Sequence, residues 1–347
     1  MTDTPSPPPP RLRRTRRGAG GLTLSDVARI AGVSPITVSR ALNTPDQVSP
    51  ETLSRVQEAV SRTGYVPNRV AGGLASSRNR LVAAIVPTIA SPMFLETVHA
   101  LTDALAAEGY QVMLGESGYD GTREDALLDA IIGRRPDGVV LTGVMHSPEG
   151  RRRLAAAGVP VVETWDLTPT PIDMLAGFSH EKVGAATAEY LHARGARRLA
   201  MICADDQRAG LRWQGFSETA ARLGLGKVPV RPVHAPTTIG DGRVALAALL
   251  ERHPRPDAIY CSSDVLALGA LIEARAKGVR VPGDLRLFGF GDLDFAAHAD
   301  PALSTVRVDG TAIGRQAARF ILERIAGGAE GPRIVDLGFA IVPRDSA

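Results

Sequence analysis

Ile36, Ser39, Arg40 and Asn43 recur at the three- and four-residue spacing that lines up side chains on one side of a helix. Their chemistry suits the edges of nucleic-acid bases. An arginine such as Arg40 presents two parallel donors to guanine O6 and N7, worth about 1 to 3 kcal/mol of discrimination, whereas Ile36 can only touch a thymine methyl or exclude bases by shape. Pro35 carries no side-chain donor, and Thr37 suits a phosphate contact that positions without reading sequence. The complementary positions Val38, Ala41 and Leu42 are apolar and give the same helix a buried side.

The flanking residues hold such a helix in place. Thr23 can cap a first helix with Asp26 near its positive end, and Val27, Ala28 and Ala31 form its apolar face. Gly32 suits a left-handed exit, and Ser34 followed by Pro35 restarts a helix at once. A third helix follows, with Ser49 as cap, Pro50 in its first turn, Leu53, Val56 and Val60 as its stripe and Gly64 as terminator. Two short helices across a tight turn, closed by a third, make a helix-turn-helix that can enter a major groove. Charge agrees: residues 1–80 hold twelve arginines and five acids, a net of +7, which leaves −4 for the rest of a chain totalling +3. Residues 1–21 are proline-rich and then arginine-rich, with no pattern able to bury a core; they read as a disordered tail that either adds nonspecific DNA affinity or only aids solubility.

After the third helix, Asn68 and Arg69 suit phosphate contacts. Val70 to Ser76 are too few for an independent helix, and Gly72 and Gly73 each weaken one by roughly 1 kcal/mol relative to alanine. From Leu81 the pattern changes to short apolar runs alternating with amphipathic helices: LVAAIV, QVMLG, DGVVLT and VPVVET, then from near Ser179 RRLAMIC, VPVRPV, DAIYC and RLFGF. This is βα wording for two lobes with parallel sheets, joined by crossovers near Phe178, Thr305 and the last helix. Ligands of open α/β sheets sit beyond the carboxyl ends of the strands, which makes the cleft between the lobes the expected pocket.

Other chemistries fit less well. GFGDLD at Gly289 lacks a third glycine, LGLGK near Lys227 lacks phosphate-loop spacing, and no G-x-S-x-G occurs, so an α/β enzyme with a DNA-binding appendage is disfavoured. The seven histidines show no metal spacing, and Cys203 and Cys261 end apolar runs as buried thiols, so no metal or cofactor is expected. A constitutive DNA-bending protein would leave the large bilobed part idle. With neither a membrane-length apolar run nor a signal-peptide core, a cytoplasmic location without a membrane partner is expected.

Leu24 to Asn43 together with YVPNRVAGGLASS at 65–77 resembles the lac repressor and galactose repressor family, and the likeness extends over Leu22 to Pro343. It implies an α plus α/β chain: a helix-turn-helix domain at 22–66, a hinge helix at 67–79 and a bilobed periplasmic-binding-protein-like domain at 80–347. It also implies a homodimer on near-palindromic, double-stranded operator DNA, with Leu74 wedged into the central minor groove. The expected DNA-contacting set is Thr23, Ser34, Pro35, Ile36, Thr37, Ser39, Arg40, Asn43, Asn68, Arg69 and Leu74. For a small-molecule effector the resemblance nominates Asp166, Phe178, Arg212, Ser263 and Asp292, the last beside a glycine where the family often has a polar residue. Thr142 joins them as an end-of-strand hydroxyl, Phe94 as a first-lobe aromatic, Asp264 at the start of a helix with capping as its alternative role, and Glu163, close to Asp166, as a pocket acid or part of the rim. GYQVMLGESGYD, PVVETWD with AGF, and VDLGFAIVP are similar to gluconate-responsive repressors, so the effector expected to release the operator is a sugar acid, gluconate foremost. A neutral sugar, or a corepressor that strengthens DNA binding, are the alternatives.

Overall fold

Local signals account for the first three helices of the computed structural model, which describes residues 22–66, 78–119, 123–144, 147–251, 255–328, 331 and 333–347. The expected tail at 1–21 and the hinge residues Asn68, Arg69, Gly72, Gly73 and Leu74 lie outside the described residues. The chain divides into two compact units, Met1–Ser77 and Arg78–Ala347.

In the first unit α1 is Leu24–Ala31, α2 Pro35–Asn43 and α3 Pro50–Thr63. The Thr23 hydroxyl accepts from the Asp26 amide at 3.3 Å while the Asp26 carboxylate accepts from the Thr23 amide at 3.0 Å, a reciprocal capping box. The Thr23 hydroxyl donating to the same carboxylate at 2.7 Å, then the Thr23 amide and Arg29, hold the Asp26 carboxyl down at about 2. Gly32 leaves α1 at φ 66°, and Ser34 accepts from the Thr37 amide to start α2 within two residues. Val27, Ala28, Ala31, Val38, Ala41, Val56, Ala59 and Tyr65 close the core, with Leu42, Leu53 and Val60 packed at its margin.

The second unit opens with β1 (Leu81–Val86), α4 (Leu95–Ala107), β2 (Gln111–Glu116), α5 (Glu124–Ile132), β3 (Gly138–Thr142), α6 (Pro148–Ala157), β4 (Val161–Thr164) and β5 (Met174–Gly177). It continues with α7 (His180–Ala193), β6 (Leu199–Ala204), α8 (Gln207–Arg222), β7 (Val230–Val233), α9 (Ile239–Leu250), β8 (Ala258–Cys261), α10 (Asp264–Ala276), β9 (Arg286–Phe288) and α11 (Asp294–His298). Finally come β10 (Thr305–Arg307), α12 (Gly310–Ile325), β11 (Arg333–Asp336) and β12 (Ala340–Val342). The first lobe holds a parallel sheet ordered β11-β5-β4-β3-β1-β2 and the second a parallel sheet ordered β7-β6-β8-β9; β10 and β12 pair antiparallel.

Alternation along the strands places the helices. Val82, Ala84, Val140 and Val162 meet Leu101 of α4 and Phe320 and Ile321 of α12 on one face, while Ala83, Ile85, Val139 and Leu141 meet Leu128 and Leu154 on the other. The βα pattern ended the first series at β4. The sheet goes further, because β5 and then β11, from more than 150 residues away, extend it beyond β4. In the second lobe α7 crosses α8 at glycine contacts: a Cβ on Gly184 would fall 2.0 Å from the Arg212 carbonyl oxygen, and one on Gly215 2.0 Å from that of Glu181. This close approach fixes the backbone that carries Arg212.

Candidate functional site

On α2 the exposed side chains divide by what already holds them. The Ser34 and Thr37 hydroxyls bond each other at 2.8 Å at the cap, and the Asn43 amide donates to the Ser39 carbonyl at 2.9 Å. Thr23 is likewise engaged in its capping box. Ile36 is 65% exposed, and the exposed Arg40 side chain makes no hydrogen bond or ion pair among the described residues. These two are the groups most available for a groove.

The cleft of the second unit lies where the carboxyl ends of both parallel sheets meet. A cavity of about 330 Å³ there is lined by Phe94, Tyr119 and Trp165 from the first lobe and by His180, Arg208, Arg212, Ser262, Ser263 and Phe290 from the second. Arg208 and Arg212 stand one turn apart on α8, on the same face. Arg212 is only 4% exposed: its guanidinium donates to the Ser262 carbonyl at 3.0 Å and bonds His180 Nδ1 at 2.9 Å, lies 4.1 Å from the Phe290 ring centre, and leaves its Nε–H without an acceptor among the described residues.

The partners fix the state of His180. Its Nε2 faces the Trp165 carbonyl at 2.9 Å, which can only accept, and its Nδ1 faces a guanidinium, which can only donate. The ring is therefore neutral with its proton on Nε2. Burial first, then the charges of Arg212 and Arg208, push its pKa well below 6.5. Trp165, at φ 62°, is held in that backbone conformation by the same His180 bond and by its indole N–H donating to Thr97 at 2.9 Å. Arg208 spans the cleft, donating to the Thr142 carbonyl at 3.3 Å and lying 5.3 Å from the Phe94 ring centre, and burial lowers its pKa. Beyond Arg208 a second cavity of about 490 Å³ is lined by Ser117, Tyr119, Glu124, Thr142, Ser147, Asp166 and Asp206 among others.

Phe94, Arg212 and Ser263 of the expected effector set thus line the first cavity, and Thr142 and Asp166 the second. Four expected residues line neither. Phe178 is fully buried beneath the first cavity, edge-on to Trp165 and His180. Glu163 is fully buried, accepting from the Ile172 amide at 2.8 Å with Arg151 at 3.6 Å. Asp292 pairs with Arg344 at 2.6 Å and Arg307 at 3.7 Å. Asp264 does not cap α10 by its side chain: Ser263 is the N-cap, and the Asp264 carboxylate accepts from Thr305 at 2.6 Å and the Leu293 amide at 2.8 Å. Sequence reasoning passed over Trp165, His180 and Arg208. Only Arg208 left a trace there, four residues before Arg212.

The profile of bacterial regulatory proteins of the lacI family matches residues 23–68, and that of a periplasmic binding protein-like domain matches residues 188–347. The HTH-type transcriptional regulator GntR of Pseudomonas aeruginosa is 38% identical over 337 residues, 96% of this chain and 98% of that protein. This chain belongs to the lacI family. A lacI-family transcriptional regulator from Silicibacter pomeroyi has the same architecture, with a TM-score of 0.86 at 33% identity over 94% of this chain and 99% of that one. The lac repressor dimer bound to operator and the anti-inducer ONPF matches with a TM-score of 0.79 at 25% identity, over 94% and 99%. As a lacI-family member the protein is a DNA-binding transcriptional regulator. No described helix is long and apolar enough to cross a membrane, and the described residues contain no cluster of three or more metal-ligating side chains.

Proposed function

We propose that this regulator is a homodimeric, cytoplasmic repressor of carbohydrate catabolism genes, released from its operator by a small sugar acid, with gluconate the leading candidate. The observation that carries the effector reading is the Nε–H of Arg212, buried in the cleft with no acceptor among the described residues, one helical turn from the second cationic side chain, Arg208. Neither guanidinium forms an ion pair with a carboxylate among the described residues. A ligand carboxylate supplies what they lack, and a charge-assisted bond in a desolvated site is roughly twice as strong as a neutral one. The rings of Phe94, Trp165 and Phe290 offer apolar faces to the carbon chain.

On the operator, Arg40 reads a guanine and Ile36 packs against a neighbouring base. Effector held by both lobes favours a closed arrangement that fits DNA less well, and the size of the switch is bounded by that preference. Likeness to the lac repressor dimer on operator supports the dimer. The test is a titration of the full chain against the DNA upstream of its own gene, with gluconate and then a panel of neutral sugars added. Release by gluconate supports the reading. Tighter binding makes gluconate a corepressor, release only by a neutral sugar makes the arginines structural, and indifference to every small molecule removes the effector role.

A further inference from the structure

The first cavity, about 330 Å³, lies near the lower end of the range for small-molecule pockets and has room for a six-carbon acid on Arg212. That leaves the adjoining cavity of about 490 Å³, which shares Tyr119, Asp206 and Arg208 with the first, without an occupant. The two linings differ in chemistry. The first combines aromatic rings with the buried, partly unpartnered Arg212. The second is lined by the Glu124 and Asp166 carboxylates and the hydroxyls of Ser117, Thr142 and Ser147, a lining that suits sugar hydroxyls and repels a second anion, although Asp166, Ser117 and Ser147 already bond protein groups. Glu124 is half-buried, and neither its carboxylate nor the Thr142 hydroxyl has a hydrogen-bond partner among the described residues. Among the described residues the one hydrogen bond from Arg208 in the shared wall to the first lobe is the 3.3 Å contact with the Thr142 carbonyl, long enough for a ligand hydroxyl to replace that acceptor.

We infer that the second cavity is a sugar-hydroxyl subsite, and that the whole cleft takes an aldonic acid carrying a second hexose, with its carboxylate on Arg212 and that hexose beside Glu124 and Thr142. This rests on the sugar-acid reading and extends it to the ligand's length and orientation.

Calorimetry on the full chain tests it with gluconate, lactobionate (gluconate bearing a galactose) and lactose, using wild type, Glu124→Gln and Thr142→Val. The expected result is lactobionate at least tenfold tighter than gluconate, equivalent to about 1.4 kcal/mol, with that ratio falling toward one in both variants and lactose far weaker. Gluconate binding with lactobionate no tighter overturns the inference and leaves the gluconate reading standing. Lactobionate binding without gluconate supports the inference and removes gluconate as effector. A ratio undiminished in both variants, lactose equal to lactobionate, or no binding by either acid overturns the inference.

Discussion

Replacing His180 by glutamine changes how stability depends on pH, and the structure sets both sign and size. His180 is 2% exposed and neutral in the folded chain, with its pKa held well below 6.5 by burial and by Arg212 and Arg208. The unfolded chain takes up a proton on this ring near 6.5 and the folded chain does not, so its contribution to stability is full above that pH and is lost as pH falls. The loss integrates to about 0.8 kcal/mol at about pH 6 and about 1.4 kcal/mol at about pH 5.5. Asp264 acts in the opposite direction: burial raises its carboxyl to about 6 from 3.8, so the folded state binds the proton first and regains about 0.8 kcal/mol by about pH 5.5. In wild type the two effects partly cancel. Comparing wild type with His180→Gln removes the Asp264 contribution common to both, and glutamine retains a donor for the Trp165 carbonyl and an acceptor for Arg212. Urea unfolding followed by tryptophan fluorescence suits the measurement, since Trp165 and Trp213 are the only tryptophans and both lie in the second unit. The stability gap between the proteins should narrow by about 1.4 kcal/mol from about pH 7.5 to about 5.5. A constant gap would refute the buried neutral imidazole.

Gly215→Ala brings a methyl to within 2.0 Å of a backbone carbonyl on α7 and should cost about 1 to 3 kcal/mol in the same unfolding assay, with weaker effector binding as α8 shifts. Thr23→Ala removes half of the capping box and should cost the helix-turn-helix unit about 1 kcal/mol, read from its thermal transition by circular dichroism. Arg40→Ala should cost about 1 to 3 kcal/mol of discrimination at one guanine per half-site, measured by competition between operator duplexes that differ at that base. An equal loss on all duplexes would make Arg40 a phosphate contact.

What the sequence disclosed follows the range of the forces involved. α1 to α3 were legible to the cap because Thr23, Gly32, Ser34, Ser49 and Gly64 act on backbone groups within a few residues. The alternating strands were legible because burial on both faces leaves runs such as Val82–Val86. β5 and β11 were not: each is four residues long, and their pairing joins Met174 to Arg333 across most of the second unit. Adjacent Ser263 and Asp264 both suit a cap, and only the fold decides between them, by bringing Thr305 and Leu293 to the Asp264 carboxylate. Arg212 could be nominated by resemblance. Its partners His180, Ser262 and Phe290 come from three other segments, and no local spacing announces them.

The central claim is that Arg212 receives an anionic effector, and operator release with Arg212→Lys tests it most directly. Lysine keeps the charge and loses the planar fork. With labelled operator, and release expressed relative to each protein's own DNA affinity, the concentration of gluconate for half-release should rise at least about tenfold, or about 1.4 kcal/mol. Half-release at the wild-type concentration would contradict the account.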